Sequence, residues 1–257
     1  MLSTLLKHAK KILTLLIIGA MFVTIGYSDN SDKEFIRYSI ETTQETINER
    51  ACEIIVRPGE YSGKPGKRIY LNDVNINFKD IPTDIRIHSD EHGAYIHEYD
   101  INVKEARALV RELRRRGINA QLQYTTSKGE DLNAAGRIAN KSNPYLYVSV
   151  HHNYFDENSK GYFAMYNPND KSSKIVADRL SNAIANNGLV RQRDSQPNTG
   201  YIGEMNVLNN STTGVLLELG FFSNGQELIN ICSDEYVDYV SNNLANELVK
   251  ILNEQYR

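Results

Sequence analysis

From Cys52 onward the chain alternates short apolar runs rich in β-branched residues with stretches in helical register, and no other feature restricts its fold as strongly. Glu53–Val56, Ala120–Tyr124, Tyr145–Val150, Gly161–Tyr166 and Gly214–Leu219 read as strands. Ile101, Ala106, Leu109, Val110 and Leu113 recur at helical spacing, and Gly117 supplies the stop. Ile175, Val176, Leu180, Ala183 and Ile184 mark a second helix, and Val237, Val240, Leu244, Leu248 and Leu252 a closing one. Such a chain is expected to form an α/β fold, with a mixed, largely parallel central sheet covered by helices on both faces. Lys67–Leu71 and Ile85–His88 also alternate, and predict two further strands as a small inserted hairpin.

The N-terminal part has a different character. Lys7, His8, Lys10 and Lys11 precede the apolar run Ile12 to Gly26, which is short for a membrane span. Residues 1–28 therefore read as a signal peptide or membrane anchor, with anchoring through residues 12–26 left open. Either way the chain is expected to act outside the cytoplasmic membrane, secreted or anchored. Residues 29–50 read as a linker and N-terminal helix, and 51–257 as the domain that carries the chemistry. Lys+Arg 29 against Asp+Glu 32 gives a net charge of −3, without the basic excess that nucleic-acid binding requires. Two cysteines, Cys52 and Cys232, exclude a cysteine-based zinc finger and a disulfide scaffold, and leave their pairing open. Oligomeric state is not legible.

Three residues stand out chemically. His151 closes a strand, in Ser149-Val150-His151-His152-Asn153, and strand alternation turns His152 to the other face. Glu218 interrupts Gly214-Val215-Leu216-Leu217-Glu218-Leu219-Gly220-Phe221-Phe222, where a carboxylate is costly unless it is paired, bound to metal or used as an acid or base. Glu98 stands just before the Ile101–Leu113 helix. Together they suggest a zinc hydrolase, with oxygen and nitrogen ligands and a separate carboxylate base. No glycine-rich phosphate loop and no G-x-S-x-G elbow are present.

From about Ile54 to the C-terminus the sequence resembles the zinc-dependent N-acetylmuramoyl-L-alanine amidases of the Amidase_3 type. Ser149–Asn153 is similar to the family's S-I/V-H-x-N, and Leu217–Asn224 to its V-E-x-G-F-x-S/T-N. Arg137-Ile138-Ala139-Asn140 resembles R-x-A-N, and Glu98-Tyr99-Asp100-Ile101-Asn102 resembles E-K-D-x-N. The resemblance implies a Zn2+ site with Glu98 and His151 as ligands and Glu218 as general base. It further implies a peptidoglycan hydrolase that cuts the amide between N-acetylmuramic acid and the L-alanine of the stem peptide.

One ligand departs from the pattern. The family places its first ligand, a histidine, in a D-P-G-H-G turn, whereas Arg57-Pro58-Gly59-Glu60 puts Glu60 there. Carboxylate oxygen binds zinc, so Glu60, Glu98 and His151 form an acceptable if more anionic set. His88 is the rival, because imidazole preserves two histidines and one glutamate. The substitution also leaves open a catalytically impaired amidase-like domain that binds wall peptides or regulates another hydrolase.

Overall fold

The computed structural model describes residues 51–60, 66–124, 132–184, 190–199 and 203–256, all within a compact unit spanning Glu49–Arg257. The expected signal or anchor over 1–28 and the expected linker and helix over 29–50 lie outside these residues. Among the described residues no helix is long and apolar enough to cross a membrane.

A six-stranded sheet forms the frame. Its strands are β1 (Ile54–Pro58), β5 (Ala120–Leu122), β6 (Leu146–Asn153), β7 (Phe163–Tyr166), β8 (Gln196–Pro197) and β9 (Thr213–Phe221). Their spatial order is β5-β1-β6-β9-β7-β8, parallel except where β7 meets β9. The mixed, largely parallel sheet expected from the sequence is therefore present. β6 and β9 lie at its centre, where both faces are covered, which is why they read as nearly unbroken apolar runs.

Alternation along these strands sorts two cores. Ile54, Val56, Leu146, Val148, Val150, Val215, Leu217 and Leu219 face the larger one. They meet Ile101, Leu109 and Leu113 of α1 (Glu98–Arg115), Val176 and Leu180 of α3 (Lys171–Asn182), and Val240, Leu244 and Leu248 of α6 (Asp234–Gln255). The opposite face is thinly packed, with Cys52, Ile55 and Tyr147 against Ala139 of α2 (Leu132–Ser142). The two short helices are α4 (Gly203–Asn206) and α5 (Gly225–Cys232). Cys52 and Cys232 are both free and buried, in different cores.

Helix ends follow local chemistry. Gly117 adopts φ 78° after α1, as its place at the helix stop predicts. Ser233 caps α6, its hydroxyl accepting from Tyr236 N at 3.2 Å, a bond worth about 1 kcal/mol. Arg111 and Arg116, at the basic end of α1, reach Asp238, Asn242 and Asn246 on α6 and clasp the two helices.

The insertion differs from the expected hairpin. It is a three-stranded antiparallel sheet in the order β2 (Arg68–Tyr70), β4 (Gly93–His97), β3 (His88–Asp90). The two expected strands do not pair with each other, because β4 lies between them. Ile85 is buried from a turn, not a strand, its N–H donating to Pro82 O at 3.1 Å.

A candidate metal centre at the strand ends

β1, β6 and β9 run parallel and deliver their carboxyl ends to one place, where sites in α/β sheets gather. His151 on β6 is opposite Glu218 on β9 in register, and both face the thinly packed side of the sheet with Tyr147 and Ser149. Glu98, the first residue of α1, reaches over the strand ends so that its Oε1 is 3.0 Å from His151 Nδ1. Glu60 follows the β1 turn. One donor atom each from Glu60, Glu98 and His151 lie within 4.8 Å of one another, close enough to share a single cation.

Glycines make this approach feasible. A Cβ on Gly59 would lie 2.3 Å from the His151 ring, and one on Gly66 would lie 2.7 Å from Glu98 Oε2 and 2.8 Å from Glu60 Cγ. Glu60 itself adopts φ 60°, a left-handed conformation that disfavours any side chain. Arg57 holds it there. That buried guanidinium donates from Nη2 to Glu60 O at 3.3 Å and from Nη1 to Glu204 Oε2 of α4 at 2.6 Å.

Asn102, one turn beyond Glu98 on α1, joins the parts. Its Nδ2 donates to Gly59 O and to Glu98 Oε1, each at 3.2 Å, and its Oδ1 accepts from His152 Nδ1 at 2.8 Å. Burial, with His151 nearby, pushes the His152 imidazole down to about 3, so it is a neutral structural ring on the far face. Adjacent histidines therefore divide as strand alternation predicts.

The electrostatics suit a cation. Burial alone would lower the His151 imidazole, but its hydrogen bond to Glu98 and the charges of Glu98 and Glu218 carry it up to about 9. Burial raises the Glu218 carboxyl to about 8, with Glu98 and Glu60 adding to the rise and His151 opposing it. The Glu60 carboxyl is also raised, first by burial and then by Glu98. Among the described residues, Glu218 Oε2 and the buried Ser149 hydroxyl have no hydrogen-bond partner. Three converging donors, an orphaned carboxylate oxygen and two methyl-free walls fit a metal ion.

His88 does not join the cluster. Its Nε2 is 2.9 Å from Asp100 Oδ2, and its ring stacks on Tyr95 at 5.4 Å. Asn140, in the R-x-A-N stretch, is also structural, donating to Val207 O at 2.6 Å and accepting from Asn209 N at 2.8 Å. Reading by residue type missed Arg57 and Glu204. A charged residue inside an apolar strand, the signal that exposed Glu218, was present at Arg57 too, but the following Pro58-Gly59 made it look like a turn residue.

A three-donor cluster beside a separate carboxyl acid, at the strand ends of an α/β sheet, is the arrangement of metal-dependent hydrolases. The Amidase_3 profile, described as N-acetylmuramoyl-L-alanine amidase, matches residues 87–250, and the chain belongs to that family. The match takes in Glu98, His151 and Glu218 but not Glu60. The chain is 26% identical over 138 residues to the germination-specific N-acetylmuramoyl-L-alanine amidase of Bacillus subtilis (strain 168), a stretch covering 51% of this chain. It spans about half the length of that relative, 55%. The fold is shared with the N-acetylmuramoyl-L-alanine amidase of Clostridium difficile 630, at a TM-score of 0.61, 19% identity, and coverage of 81% and 99% of the two chains. The CwlD amidase of Clostridioides difficile, solved in complex with the GerS lipoprotein, gives a TM-score of 0.57 at 19% identity, covering 79% and 98%.

Proposed function

We propose that this protein is a Zn2+-dependent N-acetylmuramoyl-L-alanine amidase that hydrolyses the bond between the muramic acid lactyl group and L-alanine of peptidoglycan. One observation carries the reading. The half-buried Glu218, its Oε2 sealed from solvent, pairs in register with His151 on the next strand, beside the Glu60–Glu98–His151 donor cluster, in a chain of the amidase family. Glu60, Glu98 and His151 would hold the ion, which supplies positive charge to polarise the scissile carbonyl and acidify water.

The protein's own groups do the rest. Glu218 takes the proton of the attacking water at its unpartnered Oε2 and returns it to the departing L-alanine nitrogen. Its raised pKa suits both halves of that exchange, and a cation among its neighbours lowers it toward neutrality. Asn102 keeps the Glu98 carboxylate turned toward His151, and Arg57 fixes the Glu60 turn. The apolar N-terminal run supports export to the cell wall, secreted or anchored.

The test combines metal analysis with wall digestion. Purified protein is expected to carry about one zinc, to release new N-terminal L-alanine from purified peptidoglycan, and to lose both to a strong chelator. Release of fragments cut elsewhere in the stem peptide would replace this activity with a carboxypeptidase-type one. Metal-free protein that binds wall fragments without cutting them would support the silent alternative, which the Glu60 substitution favours.

A further inference from the structure

Arg57, Arg111, Arg116 and Arg179 all spend their guanidinium groups on carboxylates or amide oxygens. Arg193 differs. It is exposed, and among the described residues its guanidinium has no hydrogen bond or ion pair, although the buried Glu227 carboxylate feels its charge from beyond contact distance. It is nevertheless held in place, 5.4 Å from the ring centroids of both Phe163 and Phe221. Stacking of this kind immobilises the planar head and leaves its in-plane N–H groups open to a further partner.

The seat beneath Arg193 is built with care. Its N–H donates to Tyr162 O at 2.8 Å, and Tyr162 N donates to Arg191 O at 2.8 Å. Gly161, at φ 111°, clears space for the arginine stem, since a Cβ there would lie 2.9 Å from Arg193 Cδ. The buried Glu227 carboxylate binds Gly161 N at 2.8 Å and Phe221 N at 2.7 Å, so one group fixes both sides of the seat. Phe163 is directly opposite Glu218 across β7 and β9, so one of the two rings under the guanidinium neighbours the proposed base. Arg191 and Arg193 line the same open surface cleft, together with Asp194 and two glutamines.

We propose that Arg193, stacked on Phe163 and Phe221, is a subsite that binds a carboxylate of the stem peptide on the departing side of the scissile amide. The proposal rests on the amidase reading and adds its substrate preference. A guanidinium offers two parallel N–H bonds to a carboxylate, the geometry that recognises it best.

The experiment uses the metal-loaded full chain and two soluble N-acetylmuramoyl peptides, one with free carboxylates and one with them amidated. The wild type should prefer the free peptide. Arg193→Ala should raise KM for it about tenfold, with kcat and zinc content held, and abolish the preference. Arg193→Lys should recover part of the loss, and added salt should erode the preference. Equal losses on both peptides, no loss on either, or a defect seen only on polymer-bearing walls would overturn the subsite. If the wild type cuts neither peptide, release of L-alanine from purified peptidoglycan decides the amidase reading separately. Calorimetric binding of the free-carboxylate peptide then decides, because equal affinity in wild type and Arg193→Ala overturns the subsite, while its loss in the variant upholds it.

Discussion

Glu218 on β9 and Glu105 on α1 have much in common. Burial raises both carboxyl groups to about 8, and each has one oxygen without a partner among the described residues. Their surroundings differ completely. Glu218 is within reach of His151, Glu98 and Glu60. Glu105 lies in the seam between α1 and α6 near Tyr236 and Cys232, with Lys104 opposing its raised pKa and Asp238 adding to it. A shifted pKa therefore reports burial; only the convergence of other donors makes a site.

That contrast can be broken in several ways. The largest effect is expected from the donors that Glu105 lacks: His151→Ala should strip the metal, whereas His152→Ala, on the far face, should retain it in whatever protein folds. Elemental analysis of the folded fraction decides, and equal loss in both would mean that the two rings share one face. Next, Glu218→Gln should lower amide hydrolysis by about 10²-fold or more while keeping the metal, the scale of losing a general base. Glu105→Gln should stay within about twofold of wild type, because it touches no donor of the site. Normal turnover in Glu218→Gln would remove its assigned role.

A smaller effect sharpens the ligand set. Glu60→His should tighten zinc binding by about tenfold, since imidazole is the better zinc donor, and His88→Ala should leave affinity unchanged. Titration against a competing chelator reads both, and metal loss in His88→Ala alone would move the site to the insertion.

The smallest effect concerns stability. Glu105 has a folded pKa of about 8, above the ordinary glutamate value of 4.5. Below pH 4.5 both states hold the proton and the group is neutral in its effect. Between 4.5 and 8 the unfolded chain ionises first, so stability falls as pH rises, and the full penalty stands above 8. Glu105→Gln should match the wild-type Tm near pH 4 and exceed it by several degrees at pH 8. Parallel Tm curves across that range would mean that Glu105 finds a counter-charge when it ionises.

The elements legible in the sequence are those whose physics is local or two-sided. β6 and β9 were plain because both faces are covered, α1 because its apolar stripe and Gly117 agree, and Glu218 because nothing around it is polar. β4 escaped because only Ile96 among its five residues is buried, leaving no alternation to see. β3 begins later than the alternation at Ile85 and Ile87 predicts, since burial from a turn mimics a strand. Glu60 was placed by register alone; its left-handed backbone and the Arg57 bond that holds it are long-range products of the fold. Arg193 had no signal at all, because its meaning comes from two phenylalanines distant in sequence.

The two cysteines have a practical consequence. Cys52 and Cys232 are unpaired and sit in different cores, and burial pushes their thiols up to about 11 and about 12. Folding thus needs no oxidant, and neither sulfur reacts while the native packing holds. The unmodified chain carries two internal clocks. Alkylation of Cys52 times the opening of the thin face beneath the candidate metal site, and alkylation of Cys232 times the opening of the main core.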